Sequence, residues 1–265
     1  MSLPTTAKNF PLLEGANAIV TGAAQGLGFS IAKRYAECGA RVFLLDMQAD
    51  KVKDAARLLP GQGHEAFACD ITDETQRAQT VQQIESIGGH IDILVNNAGI
   101  HYHSPIEDIE KDKWYRLIDV NMNAILFMSQ VVGRVMIRQR RGNIINISSI
   151  SGLISMPRRA AYVTAKTAVL GITRTLAIEW AKYGIRANAI CPGYFATPMV
   201  ISYIESGDVD EKEILRHIPM GKLGPMDAIG DACVFLASPL AEYVTGHTLV
   251  VDGGWTAFGA PEDAS

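Results

Sequence analysis

Ala18-Ile19-Val20-Thr21-Gly22-Ala23-Ala24-Gln25-Gly26-Leu27-Gly28 decides how this chain is built. Its first three residues form a short apolar run with β-branched members, which reads as a strand. The stretch from Phe29 to Cys38 reads as a helix. A strand that passes through a glycine-rich turn into a helix is the setting that a dinucleotide requires. Gly22 permits the tight turn, Gly26 lets a pyrophosphate approach the main chain, and Gly28 lets the helix pack closely on the sheet. The helix start then offers free N–H groups and a positive dipole end to phosphate. Taken alone, the glycines also fit an ordinary β-turn-α connection.

Working outward, strand-like runs alternate with helix-like runs. Further strands are expected at residues 41–45, 64–68, 91–95, 143–147, 186–191 and 248–251, and further helices at 73–87, 111–140, 160–183 and 226–237. Regular β-α alternation with short links implies an α/β fold: one doubly wound, Rossmann-like parallel sheet of about seven strands with helices on both faces. The chain reads as a single domain, residues 1–265, with its core at about 12–254. In such sheets ligands bind at the carboxyl ends of the strands. Asp46, Asp70, Asn96, Ser148, Ser149 and Pro192 all follow expected strands, so they converge on one edge.

Composition narrows the function classes. Of 265 residues, 48% are hydrophobic, enough for a substantial core. The net charge is −4 with no basic block, which argues against nucleic acid as a partner. No apolar run approaches the ~20 residues of a membrane span, so no membrane partner is expected. Met1-Ser2-Leu3-Pro4-Thr5 lacks the layout of a signal peptide. Cys38, Cys69, Cys191 and Cys233 are scattered and read as reduced thiols of a cytoplasmic protein. No metal-ligand spacing occurs.

Tyr162-Val163-Thr164-Ala165-Lys166 carries the chemistry, with Ser149 upstream. Positions i and i+4 share a helix face, so the ammonium can approach the phenol. A free tyrosine titrates near ~10, and lowering that by two to three units takes roughly 3 to 4 kcal/mol. A nearby cation can supply much of this, giving a phenol able to exchange a proton with an alcohol or ketone.

Four motifs stand in one order: T-G-x-x-x-G-x-G from Thr21, Asn96-Asn97-Ala98-Gly99, Ser149 and Tyr162-x-x-x-Lys166. Together they resemble the short-chain dehydrogenase/reductase family across nearly the whole chain. The resemblance implies a nicotinamide cofactor, with Gln25 and Leu27 joining Gly22, Gly26 and Gly28 around it. It places the Asp70 side chain and the Ile71 backbone at the adenine edge, and Asn97, Ala98 and Gly99 along the border. Ser149 would hydrogen-bond the reacting oxygen and Tyr162 would be the acid/base. Lys166 would lower the tyrosine pKa and hold the nicotinamide ribose. Asn121 matches the asparagine that anchors a relay water, with Asn123 second. Pro192, Gly193, Phe195 and Thr197 would meet the nicotinamide. Residues 198–219 would form a mobile lid, and the last strand would pair subunits. With apolar faces on both sides of the two longest helices, this leads to an expected homotetramer.

Asp46 ends the second strand and would accept hydrogen bonds from the adenosine ribose. Phosphate-preferring relatives place Arg or Lys where this chain has Gln25 and Met47, so the expected cofactor is NAD. A small-molecule alcohol or ketone is the expected substrate. Its candidate contacts, besides Ser149 and Tyr162, are His101, His103, Met156, Arg158, Arg159 and Tyr194. This set is polar and cationic, which favours a sugar, polyol or hydroxy acid, with an anionic group held by Arg158 or Arg159. The alternative is that both arginines face solvent or a subunit interface. An acyl-carrier ketoreductase and a non-catalytic NAD-binding scaffold are the competing functions.

Overall fold

Alternate residues of the central strands enter two different cores, and this sorts the helices into two layers. In β1 (Asn17–Thr21), Ala18 and Val20 join one apolar cluster while Ile19 joins the other. β2 (Arg41–Asp46) repeats the split, with Val42 and Leu44 on one side and Phe43 and Leu45 on the other. Such strands are buried on both faces and can lie only between layers of helix.

The computed structural model describes residues 11–207 and 210–259. Its remaining strands are β3 (Glu65–Ala68), β4 (Ile93–Asn96), β5 (Gly142–Ile147), β6 (Ile185–Pro192) and β7 (Thr248–Val251). All seven are parallel, in the order β3-β2-β1-β4-β5-β6-β7. The chain winds outward from β1 to β3 and then returns to place β4 beside β1. The gap above β1 and β4 is therefore the point where a ligand cleft opens.

Helices α1 (Gly26–Glu37), α2 (Ala49–Arg57) and α9 (Asp227–Ala237) cover one face, through Ile31, Tyr35, Val52 and Ile229 among others. Helices α3 (Glu74–Gly88), α5 (Ala124–Gln139) and α6 (Ala160–Trp180) cover the other, through Ile84, Met128 and Leu176. α4 (Lys111–Ile118) packs its Leu117 against Ala161 and Ala165 of α6. A buried polar ladder crosses the second layer. Asn96 donates to Ser129 at 2.9 Å and to Asn146 at 2.8 Å, and Asn146 donates to Thr173 at 2.9 Å. It joins β4 and β5 to α5 and α6 where an unpaired amide would be costly.

Three expectations change. The helix expected at 111–140 is split: α4 and α5 are separated by a π-helical turn, Asp119–Asn123. α2 was not foreseen, because only Val52 and Ala55 of its residues are buried. The run Lys111–Gln139 is also long and apolar enough, by composition, to cross a membrane, contrary to the expectation that no stretch approaches that length. In the fold its apolar residues, Ala124, Met128 and Val132 among them, are spent on the second core. The C-terminal residues 260–265, expected from the sequence to be loose, and residues 1–5, read as lacking a signal-peptide layout, lie outside the described residues.

Candidate active site

Two side chains lock the glycine turn to the loop after β4. The Thr21 hydroxyl oxygen accepts from the Asn97 N–H at 3.0 Å and the Ala98 N–H at 3.1 Å. The Asn97 amide donates to the carbonyls of Thr21 at 2.9 Å and Gly22 at 3.1 Å. A Cβ at Gly22 (φ +64°) would lie 2.7 Å from Ala98 Cα, and one at Gly28 would lie 2.1 Å from the Gly22 carbonyl oxygen. Gly28 is thus demanded by the turn's own carbonyl. Around Gly26 the nearest atom to such a Cβ is Pro198 Cδ at 3.9 Å, so the main chain there is open to an approaching group.

Asp46 hangs beside this turn. Its Oδ2 accepts from the Ala24 N–H at 3.2 Å and its Oδ1 from the Gln48 N–H at 3.0 Å. The carboxylate is mostly buried, and Met47 next to it is exposed. Asp70 serves its own turn: Oδ1 accepts from the Thr72 N–H at 2.9 Å and hydroxyl at 2.7 Å, and Oδ2 faces Arg116 at 3.5 Å. Burial opposes its ionisation, but the Thr72 donors and Arg116 outweigh burial and lower its pKa. The Ile71 carbonyl accepts from Arg77 at 2.7 Å, leaving the Ile71 N–H as the group its backbone can offer.

β5 delivers the reacting groups. Ser148 is buried and donates to the Lys166 carbonyl at 2.8 Å, which makes it structural. Ser149, next in the chain, hydrogen-bonds the Tyr162 phenol. Lys166 Nζ donates to the Ile147 carbonyl at 2.8 Å and stands 5.6 Å from the centre of the Tyr162 ring. Burial lowers the Lys166 pKa from 10.5 to about 8. Burial also dominates at Tyr162 and raises its pKa; the Ser149 hydrogen bond and then the Arg159 charge pull it down. Asn121 is fully buried in the π-helical turn, where it accepts from the Ile100 N–H at 2.8 Å and donates to the Ile100 carbonyl at 2.9 Å. Its side chain braces the loop after β4 in both directions. Asn123 reaches Asp119 instead, at 3.4 Å.

The other end of the cleft is made of rings and one guanidinium. The His101 ring lies on Tyr162, with centroids 4.2 Å apart and a 32° tilt. His103 packs against His101 at 4.4 Å, from behind the cleft wall. Burial, then His103, Arg159 and Lys166, push the His101 pKa down to about 3, so its imidazole is neutral at physiological pH. Arg159 and Met156 line the cleft, whereas Arg158 does not. Arg158 adopts φ +62°, its carbonyl accepts from the Ser104 N–H at 2.9 Å, and it is exposed. Tyr194 stacks on Trp255 at 4.9 Å, and Trp255 on His217 at 5.2 Å.

Thr197 caps α7 (Pro198–Glu205), accepting from the Val200 N–H at 3.2 Å, with Pro198 at the first helical position. Its O–H remains as a donor. The Phe195 ring is buried in the first core and its carbonyl accepts from the Thr197 N–H at 2.7 Å. Gly193 lets the strand end pass 2.8 Å from Asp252 Cα, measured from an added Cβ. The expected lid contains α7 and α8 (Glu211–Arg216).

These groups line one cleft of about 410 Å³ that runs from Gly22 and Asp46, past Gly99, Ser149 and Lys166, to Met156 and Tyr194. A family model described as "Enoyl-(Acyl carrier protein) reductase" matches residues 22–256. The chain is 37% identical over 246 residues to a gluconate 5-dehydrogenase of Gluconobacter oxydans, covering 92% of this chain and 96% of that one. The chain belongs to the short-chain dehydrogenase/reductase family.

Two solved members of the family superpose on it closely. One is a gluconate 5-dehydrogenase from Burkholderia cenocepacia in complex with NADP and tartrate, with TM-score 0.89, 35% identity, and coverage of 96% of this chain and 100% of that one. The other is an NAD+-bound xylitol dehydrogenase, with TM-score 0.88, 31% identity, and coverage of 91% and 99%. The chain is accordingly an alcohol-dehydrogenase-like oxidoreductase that uses a nicotinamide cofactor. The residues present fit such a group. The glycine turn is a cradle that side chains would fill, and the cleft continues unbroken from it to Ser149. Sequence reasoning missed Tyr203 of α7, whose ring faces His103 at 5.4 Å and His101 at 6.3 Å, and Arg116, which lines the cleft beside Asp70. No spacing links either residue to the motifs, so no signal in one sequence could have marked them.

Proposed function

We propose that the protein is an NAD-dependent dehydrogenase that interconverts a secondary alcohol and a ketone on a polar, polyhydroxylated substrate. One observation carries this reading: the Ser149, Tyr162 and Lys166 cluster shares a cleft with a glycine cradle flanked by Asp46. The relatives named for gluconate and xylitol support the substrate class. A nicotinamide held along the Gly22–Gly28 turn and Lys166 would supply the hydride acceptor for the alcohol and the hydride donor for the ketone. Tyr162 accepts the hydroxyl proton, or donates it in reverse, at the phenolic oxygen. Ser149 holds the same oxygen as charge develops on it. Lys166, fixed by the Ile147 carbonyl, presents its remaining donors to the ribose, and Asn121 keeps the flanking loop in register.

The preference for NAD rests on Asp46. A 2′-phosphate placed about 4 Å from this carboxylate costs roughly 4 kcal/mol at an effective dielectric near 20. Arg116, the cation at this end, is already turned to Asp70 and Thr72. Screening alcohols with NAD and NADP by absorbance tests the reading. Turnover of polyols or their acids with NAD at least about 30-fold better in kcat/KM supports it, and a preference for NADP overturns the cofactor assignment. We also propose a homotetramer, because Leu126 and Phe127 of α5 and Ile178 of α6 stand exposed on the outer helices. A monomeric mass in light scattering removes that part.

A further inference from the structure

Among the described residues, the substrate end of the cleft holds a guanidinium with no carboxylate beside it. Arg159 donates to the Met156 thioether at 3.1 Å and to the Tyr194 hydroxyl at 3.3 Å. A thioether is a weak acceptor and a phenol is neutral, so neither balances the charge. The two carboxylates that line the cleft, Asp46 and Asp70, are at its opposite end. Among the described residues the ion pairs involve other arginines, and none involves Arg159. A guanidinium that lines a cleft, half-buried and unpaired, is a receptor for an anion in planar, two-point contact.

We propose that Arg159 binds the carboxylate of the substrate, so that the substrate class is a polyhydroxy acid and its neutral polyol counterpart is rejected. This rests on the alcohol-oxidation reading above and adds to it. The carboxylate takes the guanidinium from the weakly bound thioether, and the Tyr194 hydroxyl lies beside it as a further polar contact. Tyr194 is itself held by the Trp255 and His217 stack, which fixes this wall of the site. His101 lines the cleft beside the reacting group, its ring resting on Tyr162, which with Ser149 holds the reacting hydroxyl. The acid group and the oxidised carbon are thereby gripped at separate points, which aligns the hydroxyl with Tyr162.

The test compares aldonates with the alditols of the same configuration, beginning with D-gluconate and D-glucitol, in wild type, Arg159→Gln and Arg159→Lys. Two readouts are taken on each: kcat/KM with NAD, and binding to the enzyme–NADH complex by calorimetry. In wild type the acids should be favoured by about 100-fold or more. In Arg159→Gln the acid-to-alditol ratio should fall by about 100-fold, chiefly through KM, and Arg159→Lys should restore only part of it. NADH affinity should stay within about twofold in both variants, which shows that the fold and the cofactor end are intact. Equal use or binding of acid and alditol by wild type overturns the proposal, as does a ratio that Arg159→Gln leaves in place. If no compound turns over but Arg159-dependent binding of acids persists, the dehydrogenase reading fails and this assignment stands.

Discussion

The two ends of the cleft are built from different materials. The cofactor end is main chain: a glycine turn with no room for a Cβ at Gly22 or Gly28, clamped by Thr21 and Asn97. The substrate end is side chain: His101, Arg159, Tyr194 and Tyr203, contributed by four separate segments and held by ring stacking. Main-chain geometry tolerates one residue type at each position, so it is rigid and unforgiving. A wall of rings accepts exchange, so it can change ligands while the chemistry beside it stays constant. Tyr162 lies at the boundary, stacked on the variable wall and hydrogen-bonded to Ser149 of the constant one.

The largest effect is expected at that boundary. Tyr162→Phe keeps the ring that His101 rests on and removes only the proton-transfer oxygen. Turnover should fall by about 10³-fold or more while NAD binding, read by fluorescence quenching, is retained. Unchanged turnover would take the proton-transfer role away from Tyr162. Gly28→Ala probes the rigid end. With its Cβ 2.1 Å from the Gly22 oxygen, the turn must open. NAD affinity should drop by about 100-fold. A variant that binds NAD normally would show that the turn is softer than its contacts imply. Asp46→Ala comes next. It removes the charge together with the acceptors of the Ala24 and Gln48 N–H groups, so the readout is a ratio: NAD over NADP in kcat/KM should fall by about 10- to 100-fold.

The same contrast explains what a single sequence discloses. The glycine turn, Asp46 and the Asn97 loop were legible because each needs a particular residue at a fixed distance along the chain. The sheet was legible because double burial leaves continuous apolar runs such as Ile93, Leu94 and Val95 of β4. α2 was not, since a helix with two buried residues shows almost no apolar stripe. The π-helical turn at Asn121 was hidden because one widened turn barely disturbs the apolar pattern on either side of it. At the substrate end His101, Met156, Arg159 and Tyr194 were reachable by asking which residues follow strands, but that reasoning could not separate Arg159 from Arg158. The separation depends on one left-handed backbone angle.

Lys166 offers the smallest and most discriminating test, because it belongs to the constant end yet carries a cost. Its ammonium is depressed from 10.5 to about 8, so between these values the unfolded chain holds the proton more tightly than the folded one. Stability therefore rises with pH across that window, and the penalty is fully present below about 8. A drop of about 2.5 units corresponds to roughly 3 kcal/mol at most. Lys166→Met removes the charge and keeps the stem, but it orphans the Ile147 carbonyl, which returns about 1 to 2 kcal/mol. The variant should be inactive yet more stable than wild type by about 1 to 2 kcal/mol at pH 7 in urea denaturation. That advantage should shrink to nothing, or reverse, as the pH rises past 10.5, where the wild-type lysine is neutral both folded and unfolded and no longer loses a proton on folding. A variant less stable at both pH values would mean that the ammonium is held by more than one carbonyl, and that the constant end is charged as well as rigid.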